Sequence, residues 1–323
     1  WNLDLYAGSS SSGSGAATAA HLCATSLGED TGGSIRFPAA WCGLVGMKPS
    51  WGRVSRYGVM GGVWSMDTVG PISRTVEDAA ITLTAIAGQD SKDPYTWNTP
   101  VPDYRKALDG GIKGLRVGLI REQMTPDMTD VETRDAVLKA TTVLEEMGAI
   151  VEEVSLPLTR HSVELSLVPL LVEPAMNHSG WIRERLADYG HNNRVGLLTG
   201  SILPAAAYYK AQKLRTMLRQ QVLDAFDSHD VLITPTSGKA AQPIMDDQVI
   251  TSKENAVGIR YLHTRIFNLA SSPAISVPCG FSSDGLPIGL QIGGLPGADG
   301  IIMKVAHSYE QSSDWHNRRP PNI

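Results

Sequence analysis

Apolar positions alternate with polar ones in two different rhythms along the 323 residues. Short runs rich in β-branched residues read as strands: Leu115–Ile120, Ile150–Leu156, Asp230–Thr236, Ala274–Pro278 and Ile288–Ile292. Between them lie stretches with helical spacing. Asp130–Met147 carries Val137, Thr141, Leu144 and Met147 on one face and stops at Gly148. Thr75–Ala87 opens with a capping-box-like Thr-Val-Glu-Asp and stops at Gly88. Ala205–Phe226 reads as a long helix whose lysines and arginines form a solvated face, and Gly300–Gln311 as a closing helix. Alternation of this kind predicts a layered α/β fold. An alanine-rich helix is expected over Gly13–Ala24. Residues 39–71 are rich in glycine and tryptophan with little periodicity, and read as a long ordered loop lining a pocket, while Gln89–Pro102 is a connector. No stretch repeats at a fixed period, and no apolar run is long enough to span a membrane.

Composition narrows the function classes. With 42% hydrophobic and 19% charged residues, the chain is ordinary for a soluble globular protein. A net charge of −5 gives no basic patch for nucleic acid. Cys23, Cys42 and Cys279 are odd in number and widely spaced, which argues for free thiols in a reducing, cytoplasmic setting. The eight histidines form no His-x-x-x-His pattern, so neither a metal nor any other cofactor is expected. Glu173 and His178 are open to two readings, a surface helix face or a pocket role.

The chemistry concentrates in Asp30-Thr31-Gly32-Gly33-Ser34-Ile35-Arg36. Two glycines ahead of a serine let bare backbone approach a substrate, and consecutive N–H groups can converge on an anion. Ser34 is then placed like an acyl-transfer nucleophile with main-chain oxyanion donors. No histidine stands nearby to act as base. A second serine cluster, Gly8-Ser9-Ser10-Ser11-Ser12-Gly13-Ser14, precedes it, with Ser10 lying 24 residues upstream of Ser34. By composition alone this run would read as a flexible linker; its spacing to the second block argues for a site.

Together with Cys42–Pro49, Gly52–Gly58, Asp67–Pro71, Pro273–Pro278 and Gly285–Gln291, these blocks resemble the amidase signature family. The resemblance implies a central mixed β-sheet covered on both faces by α-helices, in a single domain over residues 1–323. It implies a Ser–Ser–Lys triad in which Ser34 is the nucleophile and Ser10 the bridging serine, preceded by a cis peptide bond. Thr31, Gly32, Gly33 and Ser34 would supply the oxyanion N–H groups, with Ser11, Asp30 and Arg36 supporting the loop. The family's lysine lies several tens of residues before the bridging serine. The first lysine here is Lys48, in a block matching a structural position, so the chain is expected to be the later two-thirds of an amidase. The function implied is hydrolysis of a small-molecule carboxylic amide, with no membrane and no direct nucleic acid partner, and with a homodimer left open. The flanking blocks are closest to amidotransferase A subunits, which hydrolyse glutamine, but their glutamine-binding arginine motif is not found within residues 162–200. A third reading is a catalytically silent protein on the same fold.

Overall fold

The computed structural model describes residues 1–244 and 261–321. Among these residues eight strands form one sheet: β1 (Thr25–Glu29), β2 (Val45–Lys48), β3 (Val69–Ser73), β4 (Arg116–Ile120), β5 (Ile150–Val154), β6 (Val231–Pro235), β7 (Ala274–Phe281) and β8 (Pro287–Gly293). Their spatial order is β1-β3-β2-β7-β8-β6-β4-β5. β4 runs parallel to β5 and β6, and the remaining neighbours are antiparallel, so the sheet is mixed as expected.

Among the described residues the α-helices are α1 (Ser12–Ala19), α2 (Arg36–Cys42), α3 (Val76–Ile86), α4 (Val131–Glu146), α5 (Ser162–Asn177), α6 (Ser179–Arg185), α7 (His191–Ile202), α8 (Ala205–Ala225), α9 (Arg265–Leu269) and α10 (Asp299–Gln311). The strand period sorts their cores. Val117 and Leu119 of β4, Val231 and Ile233 of β6 and Ile275 and Val277 of β7 point into one cluster with α3, α4 and α10. Ile120, Leu232 and Ala274, one residue out of step, point into another with α5, α8 and α9. Both faces of the sheet are therefore covered by helices.

Three strands depart from the sequence reading. The expected helix ends at Ala19, and the chain then forms β1. The stretch 39–71 is not one long loop, since it holds most of α2, all of β2 and the start of β3. The four residues of β2 are buried throughout, so it has no alternation to read. Gly70 sits on β3 because a Cβ there would lie 2.2 Å from the Met47 carbonyl.

Candidate active site

The glycine turn between β1 and α2 is held from inside by one carboxylate. Asp30 is fully buried, and its Oδ1 accepts the Gly33 N–H at 2.7 Å while Oδ2 accepts the Ile35 N–H at 3.3 Å. Arg36, equally buried, grips the same carboxylate through Nε and Nη2, both at 2.9 Å. Burial alone would raise the Asp30 carboxyl, but the Arg36 guanidinium outweighs it and holds the group below the usual carboxylate range. The remaining Arg36 donors reach Thr264 O at 2.8 Å, Gln291 Oε1 at 2.6 Å and Asn268 Oδ1 at 2.6 Å. Asp30 and Arg36 thus hold the turn from inside, with Thr264, Asn268 and Gln291 as further partners.

This clamp decides which N–H groups of the turn stay unpaired. The Gly33 N–H, expected among the oxyanion donors, is turned inward onto Asp30, in a conformation (φ +130°) that favours glycine. Among the described residues, the N–H groups of Thr31, Gly32 and Ser34 make no hydrogen bond.

Ser34 receives a hydrogen bond from Ser9 Oγ at 3.0 Å. The structure therefore brings Ser9 against Ser34, the expected nucleophile, one residue from the expected bridging Ser10, whose exposed side chain makes no such contact. All described peptide bonds are trans, including the one from Ser9 to Ser10, where a cis bond was expected. Ser11 laces the serine loop to β1, its Oγ donating to Glu29 O and accepting the Glu29 N–H, each at 3.3 Å. Lys48 is buried and donates to Pro49 O at 3.1 Å. Burial, reinforced by Arg36, lowers its ammonium to about 7.

The Thr31 hydroxyl lies 2.8 Å from Glu29 Oε1 and 2.7 Å from Asp67 Oδ1. One hydroxyl donates one proton, so one of the two carboxyls must carry another. Asp67 also accepts the N–H groups of Gly62 and Val63, at 2.8 and 2.9 Å. Glu29 holds the extra proton, because burial and the charge of Asp67 both push it up.

Two cavities flank the turn. One of about 1030 Å³ reaches Gly8, Ser9 and Ser12 and is walled by Trp41 and Asn192. The other, about 530 Å³, opens at Glu29 and Asp67 and is lined by Arg56, Trp64, His178 and Trp181. His178 therefore has a pocket position. Glu173 is buried and bonded by Tyr208 Oη at 2.9 Å, so it lies neither on an exposed face nor on the wall of either cavity. Cys42 and Cys279 are buried, and burial raises both thiols, Cys42 to about 11. Such thiols are inert packing groups. Among the described residues no group of side chains could hold a metal ion, and no helix is long and apolar enough to cross a membrane.

The family model described as Amidase matches residues 1–303. The chain belongs to the amidase family. It is 39% identical to the A subunit of the glutamyl-tRNA(Gln) amidotransferase of Microcystis aeruginosa and 40% identical to that of Geotalea daltonii, covering 99% of this chain and 70% of each relative. Among solved structures it resembles the A subunit of the Thermotoga maritima glutamyl-tRNA(Gln) amidotransferase, with a TM-score of 0.85 at 32% identity over 99% of this chain and 70% of that one. It also resembles a bacterial aryl acylamidase, with a TM-score of 0.87 at 29% identity over 98% and 68%. The amidase fold read from the serine blocks is the fold observed.

Proposed function

We propose that the chain hydrolyses a carboxylic amide through an acyl-enzyme on Ser34. The observation that carries this reading is the Ser9–Ser34 contact beside a turn with three unpaired N–H groups. Ser34 attacks the carbonyl carbon, and the oxygen that becomes negative is met by the N–H groups of Thr31, Gly32 and Ser34. The Ser34 proton passes to a hydroxyl of the serine loop. We assign this relay to Ser10, on the family pattern, with Ser9 holding the nucleophile's Oγ, and the triad's lysine as the final base. The relay then returns the proton to the leaving amine, and water releases the acyl group by the same path. Labelling with a fluorophosphonate probe and peptide mapping test the nucleophile. Label is expected on Ser34 and on no residue of a Ser34→Ala variant; turnover surviving in that variant refutes the assignment. Ser10→Ala is expected to cut turnover severely and Ser9→Ala less. The reverse ranking makes Ser9 the relay.

For the amide itself, the curated relatives favour glutamine, with ammonia released for use on a partner subunit of an amidotransferase. A free-standing amidase is the second reading, favoured by the likeness to an aryl acylamidase and by the missing arginine motif. Glutaminase activity that rises on adding partner subunits separates the two.

A further inference from the structure

We propose that Glu29 is a positioning residue for the reaction: as a neutral acid it fixes Thr31 and keeps a second negative charge away from the forming oxyanion. The proposal rests on the reading of Ser34 as nucleophile and adds a group that regulates that site. Glu29 ends β1 and stands one residue before Asp30. Its backbone is tied down from two sides, by the Ser11 hydroxyl and by pairing with Val69 of β3. From that fixed origin the side chain brings Oε1 to 2.8 Å from Thr31 Oγ1.

Thr31 stands between two carboxyls. Its Oγ1 lies 2.7 Å from Oδ1 of the buried Asp67. With one proton on the hydroxyl and one on Glu29, a single chain forms: Glu29 donates to Thr31, and Thr31 donates to Asp67. This chain anchors the turn independently of the Asp30–Arg36 clamp, and does so at a residue whose own N–H is left unpaired. Without the Glu29 proton, two carboxylates would share one donor and repel each other. No arginine, lysine or histidine among the described residues lies within ion-pair distance of either. Asp30, next to Glu29 in the chain, is neutralised by Arg36. Across the cavity wall Arg56 faces Asp93 at 3.6 Å, and Lys92 and His178 complete the charged or titratable lining. Burial, with the Asp67 charge behind it, pushes the Glu29 carboxyl up to about 8, so the neutral form prevails at neutral pH.

Distance sets the size of the effect. The Thr31 hydroxyl is about 3 Å from its own backbone nitrogen, and an oxyanion would sit one hydrogen bond of about 2.9 Å farther on. Adding the 2.8 Å from Glu29 to the hydroxyl, an ionised Glu29 stands at most about 9 Å from the developing charge. At an effective dielectric of about 20, one unit charge at that distance slows the reaction roughly twentyfold. The cavity of about 530 Å³ that opens at Glu29 and Asp67 gives the proton a path to solvent. Rising pH therefore switches the site off through Glu29, which touches neither the nucleophile nor the oxyanion.

The test follows the rate of fluorophosphonate labelling at Ser34, because the probe's phosphoryl oxygen gains charge against the same N–H groups. Rates are taken from about pH 6 to about pH 10 in the unaltered protein and in Glu29→Gln, which keeps a donor and an acceptor but cannot ionise. The ratio of variant to unaltered rate is expected to rise roughly twentyfold across that range, with its midpoint near 8. Taking the ratio cancels the titration of the base, which both proteins share. A ratio that stays constant with pH, at any value, overturns the proposal, since Glu29 would then be structural only. Infrared difference spectra of the folded protein report the proton directly. A protonated-carboxyl component is expected that disappears on titration through about 8 and is missing from Glu29→Gln. Its absence from the unaltered protein overturns the proposal even where the variant does not fold. No label at any pH in either protein overturns the reading of Ser34 and the proposal with it, whereas label at a constant ratio overturns the proposal alone.

Discussion

Replacing Arg36 by methionine puts the turn's construction to a direct test. The guanidinium makes five buried hydrogen bonds at 2.6–2.9 Å, two of them to Asp30. Methionine fills much of the same space but leaves Asp30 charged, buried and held only by the Gly33 and Ile35 N–H groups and Asn268. Removing one partner of a buried ion pair costs roughly 3–5 kcal/mol. Unfolding entropy of about 2.1 cal/mol/K per residue over 323 residues makes each kcal/mol worth about 1.5 °C, so Tm should fall by about 4–7 °C. Urea denaturation of Arg36→Met, Asp30→Asn and the double variant supplies the cycle. The double variant, which buries no unpaired charge, should lose clearly less than the two single losses combined. A loss below about 1 kcal/mol for Arg36→Met, or strict additivity, would refute the view that this pair clamps the turn.

Three further predictions concern the scaffold. Burial, assisted by Asp78, raises the Glu310 carboxyl to about 7, where its Oε1 accepts the Val76 N–H at 2.9 Å. The folded protein then keeps a proton that the unfolded chain releases near 4.5, so Glu310 makes stability fall as pH rises from about 4.5 to 7, by at most about 3 kcal/mol. Glu310→Gln keeps the acceptor and should flatten that slope in melting curves at pH 5 and 8; parallel curves for the two proteins would contradict it. Gly33→Ala puts a Cβ 2.2 Å from Thr264 Oγ1 at a positive φ, and should cost roughly 3 kcal/mol or more together with loss of Ser34 labelling. Gly13→Ala, in α1 with open space around it, should gain about 0.5–1 kcal/mol in the same denaturation assay.

What the sequence disclosed follows the range of the interactions involved. The strands β4, β6, β7 and β8 could be read as short, largely apolar runs between turn signals, and β5 from its Ile150, Val151 and Val154. β1 and β2 could not: Thr-Ser-Leu-Gly-Glu has no clean alternation, and Val-Gly-Met-Lys hides a lysine that is 1% exposed. The Gly-Gly-Ser turn showed itself because its backbone demands are local. Its partners did not, since Asp67 lies 36 residues from Thr31 and Asn268 lies 238 from Asp30. Whether Ser9 or Ser10 faces Ser34 is a matter of backbone path, to which a run of four serines is silent.

The network around Asp30 is polar for a reason tied to the chemistry. A turn that leaves three of its N–H groups unpaired cannot be held by its own main-chain bonds alone. The Asp30 side chain resolves the conflict by taking the Gly33 and Ile35 N–H groups and leaving those of Thr31, Gly32 and Ser34. A carboxylate that does this must be buried and charged, which calls for a counter-charge, and Arg36 provides it from the first residue of α2. The arginine's surplus donors then need acceptors, and Thr264, Asn268 and Gln291 supply them from the residue just before α9, from α9 itself and from β8. Each step follows from satisfying the one before. The chain therefore brings α9 against the glycine turn as a consequence of keeping three N–H groups open.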